Sequence, residues 1–93
     1  DVLKEPTFYE ELGEVYELAG LHSNAVQCFD EAEKLYLKEK EVGEDNSVEM
    51  AMFYASRDRK LTEALELARE AVQRRPGIHA YQALALALFK NGK

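Results

Sequence analysis

The hydrophobic and polar positions of this chain fall into five stretches of helical period, separated by residues that stop helices. The first, within "KEPTFYEELGEVYELAG", opens at Pro6 and Thr7 and closes at Gly20. Pro suits the first helical position because its missing N–H is not needed there, and Thr7 with Glu10 three residues on has the spacing of a capping box. The second stretch runs from about Ser23 to Val42 and stops at Gly43; Asp45, Asn46 or Ser47 then caps a third that ends near Ser56. Asn46 and Glu49 repeat the capping-box spacing. The fourth, about Leu61 to Arg75, carries Arg74 and Arg75 in its last turn, where cations suit the helix dipole, and Pro76 with Gly77 ends it. The fifth, about Ile78 to Lys90, has Gly92 as its stop. Short connections between such helices imply antiparallel helical hairpins. With no strand pattern between them, the pattern predicts an all-α fold of five helices.

The fifth stretch raises a question of cover. "AYQALALALF" (Ala80 to Phe89) is apolar at every position but Gln82, and a helix that is apolar all round belongs in a core. It is too short for a bilayer, which needs roughly 17 to 25 residues. Only Lys90, Asn91, Gly92 and Lys93 follow it, so its cover must come from elsewhere.

Internal similarity addresses that question. "YEELGEVY" sets Tyr9, Leu12, Gly13 and Tyr16 at the spacing aromatic-x2-Leu-Gly-x2-Tyr, and "AVQCFDEA" adds Ala25, Phe29 and Ala32. Gly13 and Ala25 are small, as two helices that cross closely require, while Tyr16 and Phe29 fill the space beside the crossing. This arrangement resembles a tetratricopeptide repeat, with Tyr9 where Trp is usual and Leu37 where the closing Pro would fall. A shift of 39 residues carries Ala25 to Ala64, Ala32 to Ala71 and Leu37 to Pro76, but turns Tyr16 and Phe29 into Ala55 and Ala68. Either the second hairpin packs closer, or Met52 or Tyr54 fills the gap. A further shift of 33 carries Ala51 to Leu84 and Val48 to Tyr81, the start of a new repeat.

The resemblance thus implies a tetratricopeptide-type helical hairpin solenoid of about two and a half repeats: repeat 1 over about 6–44, repeat 2 over about 45–77, and a half-repeat over 78–93. It implies a single repeat domain over 1–93. In such an array each hairpin leaves an apolar face for its neighbour, and the helix that would cover Tyr81, Leu84, Ala85 and Leu88 is absent. Burying a large apolar side chain contributes about 1.5 to 3 kcal/mol, so these four residues form the candidate self-association face, by symmetric pairing or exchange of the terminal helix. The expected state of the isolated chain is a homodimer.

Members of the family bind peptides or protein surfaces in a concave groove. Carried over residue by residue, that groove takes Glu10, Glu14, Glu17 and Leu18 from repeat 1, Glu49, Phe53, Ser56 and Arg57 from repeat 2, and Gln82, Leu86, Phe89 and Lys90 from the half-repeat. It implies a partner segment that combines Lys or Arg with large apolar anchors. The acids also read as an ordinary solvated face, and Phe53, Leu86 and Phe89 as plain packing. At the positions where chaperone-tail-binding members use Lys, Asn and Arg, this chain has Glu10, Glu14, Met50, His79 and Ala83, so an acidic tail is not the expected partner.

Composition narrows the classes further. At 46% apolar and 32% charged, the chain is globular rather than disordered, and a domain of this size buries only about 60 to 65% of its unfolded surface. The net charge of -6 is uneven: up to Asn46 there are 13 acidic against 4 basic residues, net -9, and from Ser47 onward 5 against 8, net +3. A pI near 4.9 argues against nucleic acid, despite the basic set Arg57, Arg59, Lys60, Arg69, Arg74 and Arg75. Cys28 is alone and reads as a packing residue; no paired His, Cys-x2-Cys or Gly-rich phosphate loop appears, and His22 and His79 lie in different repeats. No enzyme, cofactor or metal is therefore expected. The stretch "YLKEKEVGED" at the end of the long second helix reads as a solvated extension or a contact arm. Because Asp1 is not Met, the chain reads as a piece of a longer protein, cytoplasmic by default, whose signals lie outside it. The expected function is a protein-interaction scaffold, with a structural or oligomerisation segment as the alternative.

Overall fold

The computed structural model describes residues 5–92. Asp1, Lys4 and Lys93, counted above in the charge balance, the first stretch or the half-repeat, lie outside the described residues. Among these the chain is all-α, with α1 Pro6–Leu18, α2 His22–Glu41, α3 Ser47–Ser56, α4 Leu61–Arg74 and α5 Ile78–Lys90. It divides into two compact units, one ending at Asp45 and the other beginning at Asn46.

In the first unit α1 packs along α2. Proline occupies the first turn of α1 as its fixed φ and missing donor favour. The capping box does not form there: Glu5 is the N-cap, no side chain caps the helix, and Thr7 already lies inside it. Asn46 does stand at the N-cap of α3, also without a side-chain cap hydrogen bond. Gly13 is buried, and a Cβ added there would lie 2.8 Å from Phe29 Cζ and 2.9 Å from Phe29 Cδ1. The missing side chain is therefore what lets α1 approach the Phe29 ring. Ala25, Phe29 and Ala32 are all buried on α2.

Both helices of this unit end on a glycine with left-handed backbone, Gly20 at φ +79° and Gly43 at φ +92°. The N–H of Leu21 reaches the Tyr16 carbonyl at 2.8 Å, and that of Glu44 the Glu39 carbonyl at 3.0 Å, closing the same 6→1 ring in each case. The end of α3 repeats the ring without a glycine: Arg59 N–H donates to the Tyr54 carbonyl at 2.8 Å while Asp58 takes φ +55°. Asp tolerates that backbone better than most side chains, so α3 ends sharply at Ser56, where the sequence pattern places its end without a glycine to mark it.

In the second unit α3, α4 and α5 each touch the other two. Because α3 packs against two neighbours, it buries Met50, Ala51, Phe53, Tyr54 and Ala55, residues spread over most of its circumference. Helix α4 is amphipathic and turns Ala64, Leu65, Leu67, Ala68 and Ala71 inward. Of the two residues expected to supply bulk near Ala55 and Ala68, Tyr54 is 1% exposed and Met52 is only half-buried. Helix α5 buries alanines alone, Ala80, Ala83 and Ala87, which recur on one stripe and allow close helix packing. Its end is pinned by Asn91, whose Nδ2 donates to the Leu61 carbonyl at 2.9 Å and the Ala87 carbonyl at 2.8 Å, and by Lys90 Nζ, 2.9 Å from Asp58 Oδ1.

No helix among the described residues is long and apolar enough to cross a membrane.

Candidate functional site

Helices α3 and α5 leave a concavity of about 310 Å³ between them, lined by Val48, Glu49 and Met52 from α3 and His79 and Gln82 from α5. The register explains the lining. Val48 and Met52 stand one turn apart on α3 with Glu49 beside them, and His79 and Gln82 stand three apart on α5, so each set shares a face of its helix. Val48 and Met52 are half-buried while Glu49, His79 and Gln82 are exposed at the rim. The floor is therefore apolar and the rim polar. Among the described residues the Glu49 carboxylate has no ion-pair partner, which leaves its charge available to a ligand.

Of the sequence-derived groove positions on this unit, Glu49 and Gln82 line the concavity. Phe53, expected on an apolar floor, is 1% exposed and belongs to the core instead, because α3 is packed from two sides. Arg57 and Leu86 are half-buried, Ser56 is exposed, and Phe89 is 75% exposed. Lys90 is occupied by Asp58. Val48, Met52 and His79 were not among the groove residues, although the i, i+4 spacing of the first two beside an acid marks a face that holds both an apolar and a charged contact.

On the first unit Glu14 and Glu17 are exposed, and Leu18 is 90% exposed. Glu10 is different: it is half-buried and accepts a hydrogen bond from the Tyr36 hydroxyl. Its carboxylate ties α1 to α2 and is not simply a surface charge. A second concavity of about 310 Å³ lies in this unit between Tyr9, Leu12 and Tyr16 of α1 and Asn24, Cys28 and Glu31 of α2. Cys28 is buried, and that burial raises the pKa of its thiol, so less of it is thiolate than in a free cysteine. It sits as a small apolar packing residue.

The residues expected to form a self-association face lie on α5 beside its buried alanine stripe. Tyr81 is 55% exposed and Ala85 is exposed, while Leu84 and Leu88 are half-buried. Ile78 at 70% and Phe89 at 75% extend this apolar surface. Among the described residues no group of three or more His, Cys, Asp or Glu side chains could hold a metal ion. The chain matches no family model, no curated protein and no solved structure in comparisons with each.

Proposed function

We propose that this chain is a protein-interaction module of tetratricopeptide type that takes a peptide segment, and that the α3–α5 concavity receives one of its apolar side chains. The observation that carries this is the pairing of an apolar floor, Val48 and Met52, with a rim carboxylate, Glu49, that has no ion-pair partner among the described residues. Such a rim suits a segment in which Lys or Arg neighbours a Leu, Met or Phe. The apolar anchor supplies affinity, and the charge supplies on-rate and register. The net charge of -6 adds long-range attraction of the chain as a whole for a basic partner.

Calorimetric titration of short peptides with a Lys or Arg beside an apolar anchor tests this. Met52→Glu is expected to weaken binding by about tenfold or more, roughly 1.4 kcal/mol, and Glu49→Lys to weaken it most at low salt. Peptide affinities that ignore both substitutions would sink the proposal. Glu10 is best spared in such a series, since its loss would also remove the Tyr36 hydrogen bond.

A second reading is favoured by the exposed apolar surface of α5. In it the chain associates through that helix and joins parts of a larger assembly, without a groove ligand of its own.

A further inference from the structure

Three asparagines occur in this chain, and only Asn91 is followed by glycine. That pair carries chemistry of its own. The backbone nitrogen that follows an asparagine can attack its side-chain carbonyl carbon, Cγ. The new N–Cγ bond closes a cyclic imide, the Cγ–Nδ2 bond breaks, and the amide leaves as ammonia with the proton that the backbone nitrogen gives up. Water then opens the imide. Attack at Cγ leaves an ordinary aspartate, and attack at the main-chain carbonyl leaves an isoaspartyl linkage through the side chain; either way one water enters and one ammonia leaves. A glycine hinders its own nitrogen least, so Asn91 is the reactive asparagine, ahead of Asn24 before Ala25 and Asn46 before Ser47.

The fold holds both reacting groups away from this path. Asn91 Nδ2 donates to the Leu61 carbonyl at 2.9 Å and to the Ala87 carbonyl at 2.8 Å. Both partners are acceptors, so the nitrogen and not the oxygen must face them. The side chain is half-buried there. The Gly92 N–H, which must lose its proton in the attack, donates to the Phe89 carbonyl at 3.1 Å. Asn91 itself has ψ 2°, which turns the Gly92 nitrogen away from Cβ, whereas the imide ring needs the two eclipsed about the Cα–C′ bond. Reaction therefore requires the last turn of α5 to open.

The product cannot take the same seat. A carboxylate has no hydrogen to give, so the Leu61 and Ala87 carbonyls lose this donor and face a negative oxygen. The new charge also lies at the C-terminal end of α5, the negative end of the helix dipole. An opening that is brief in the amide form becomes lasting once the amide is gone. We propose that Asn91–Gly92 is a self-modifying latch: docking of α5 on the first residue of α4 suppresses deamidation, and deamidation, once it occurs, releases that end of α5. The inference rests on neither the peptide reading nor the association reading.

The test incubates the full chain at mildly alkaline pH, folded and in urea, and follows each asparagine by peptide mass spectrometry. In urea Asn91 is expected to react ahead of Asn24 and Asn46. In the folded chain it should react about tenfold more slowly or less, since local opening must come first. The consequence is read on Asn91→Asp, with Asn91→Ala, which lacks both donor and charge, beside it. Hydrogen exchange of the last-turn amides of α5 should rise about tenfold or more in the aspartate variant and by a smaller factor in the alanine variant. Equal rates in the folded and urea-treated chain, an Asn91 no faster than the other two in urea, or exchange in Asn91→Asp that matches the parent would each overturn the proposal.

Discussion

At Gly13 one absent methyl group decides how closely two helices meet. A Cβ there would press into the Phe29 ring at 2.8 to 2.9 Å from Cζ and Cδ1, and that ring is 4% exposed, so it has little room to turn away. Gly13→Ala would ordinarily stabilise an exposed helix by its higher propensity; here overpacking should win and cost about 1 to 3 kcal/mol. Urea unfolding followed by circular dichroism reads the change, and Phe29→Leu in the same chain should recover part of it, because the smaller side chain yields space to the new Cβ. An alanine variant as stable as the parent would mean that α1 and α2 cross less closely than described. Single residues also set the helix ends. Gly20 and Gly43 are plain from the sequence because only glycine takes their backbone without strain, whereas Asp58 is not, since nothing local marks an aspartate for a left-handed turn.

Between elements the same rule of small residues operates along a stripe. Ala83 of α5 is fully buried, while Ala85, two residues on, is exposed. The two alanines are indistinguishable in the pattern "ALALAL", and only packing separates them. Ala83→Leu is expected to lose about 1 to 3 kcal/mol through overpacking against the other helices of the unit. In dilute solution Ala85→Leu should stay within about 0.5 kcal/mol of the parent. Thermal or denaturant melts of the two variants check this directly; similar losses at both sites would show that α5 is covered on both sides. Tertiary packing also explains Phe53. A groove position by the family resemblance, it becomes core because α3 touches both α4 and α5, and the surface that α3 keeps for a ligand is the face of Val48, Glu49 and Met52.

For the molecule as a whole the charge distribution matters more than its sum. The net of -9 falls on the unit ending at Asp45, against +3 on the unit that follows. Like charges confined to one small unit repel, and the repulsion is screened by salt, with a Debye length of about 30 Å at 0.01 M and about 8 Å at 0.15 M. Raising salt across that range should therefore raise the unfolding midpoint of α1 and α2, followed by hydrogen exchange of their amides. Lys34 and Glu31, 4.0 Å apart on the surface of α2, oppose this trend, but an exposed pair of that kind is worth only about 0.2 to 1 kcal/mol. A midpoint that falls with salt would mean that such pairs outweigh the repulsion.

What the sequence determined by itself is the set of local choices. Five helices, their bounds to within a residue or two, and the glycine stops all follow from periodicity and backbone preference, which act over a few neighbouring residues. The small residues at Gly13 and Ala25 were legible for the same reason, since a gap in side-chain volume is written in the residue itself. Only the tertiary structure decided which face of an apolar helix is covered. That choice buried Phe53, left Phe89 outside, selected Val48, Met52 and His79 to line the concavity, and committed Glu10 to Tyr36 and Lys90 to Asp58. Each depends on residues 26 or more positions apart or on a helix with two neighbours, and no local pattern encodes a partner that the chain brings close only by folding.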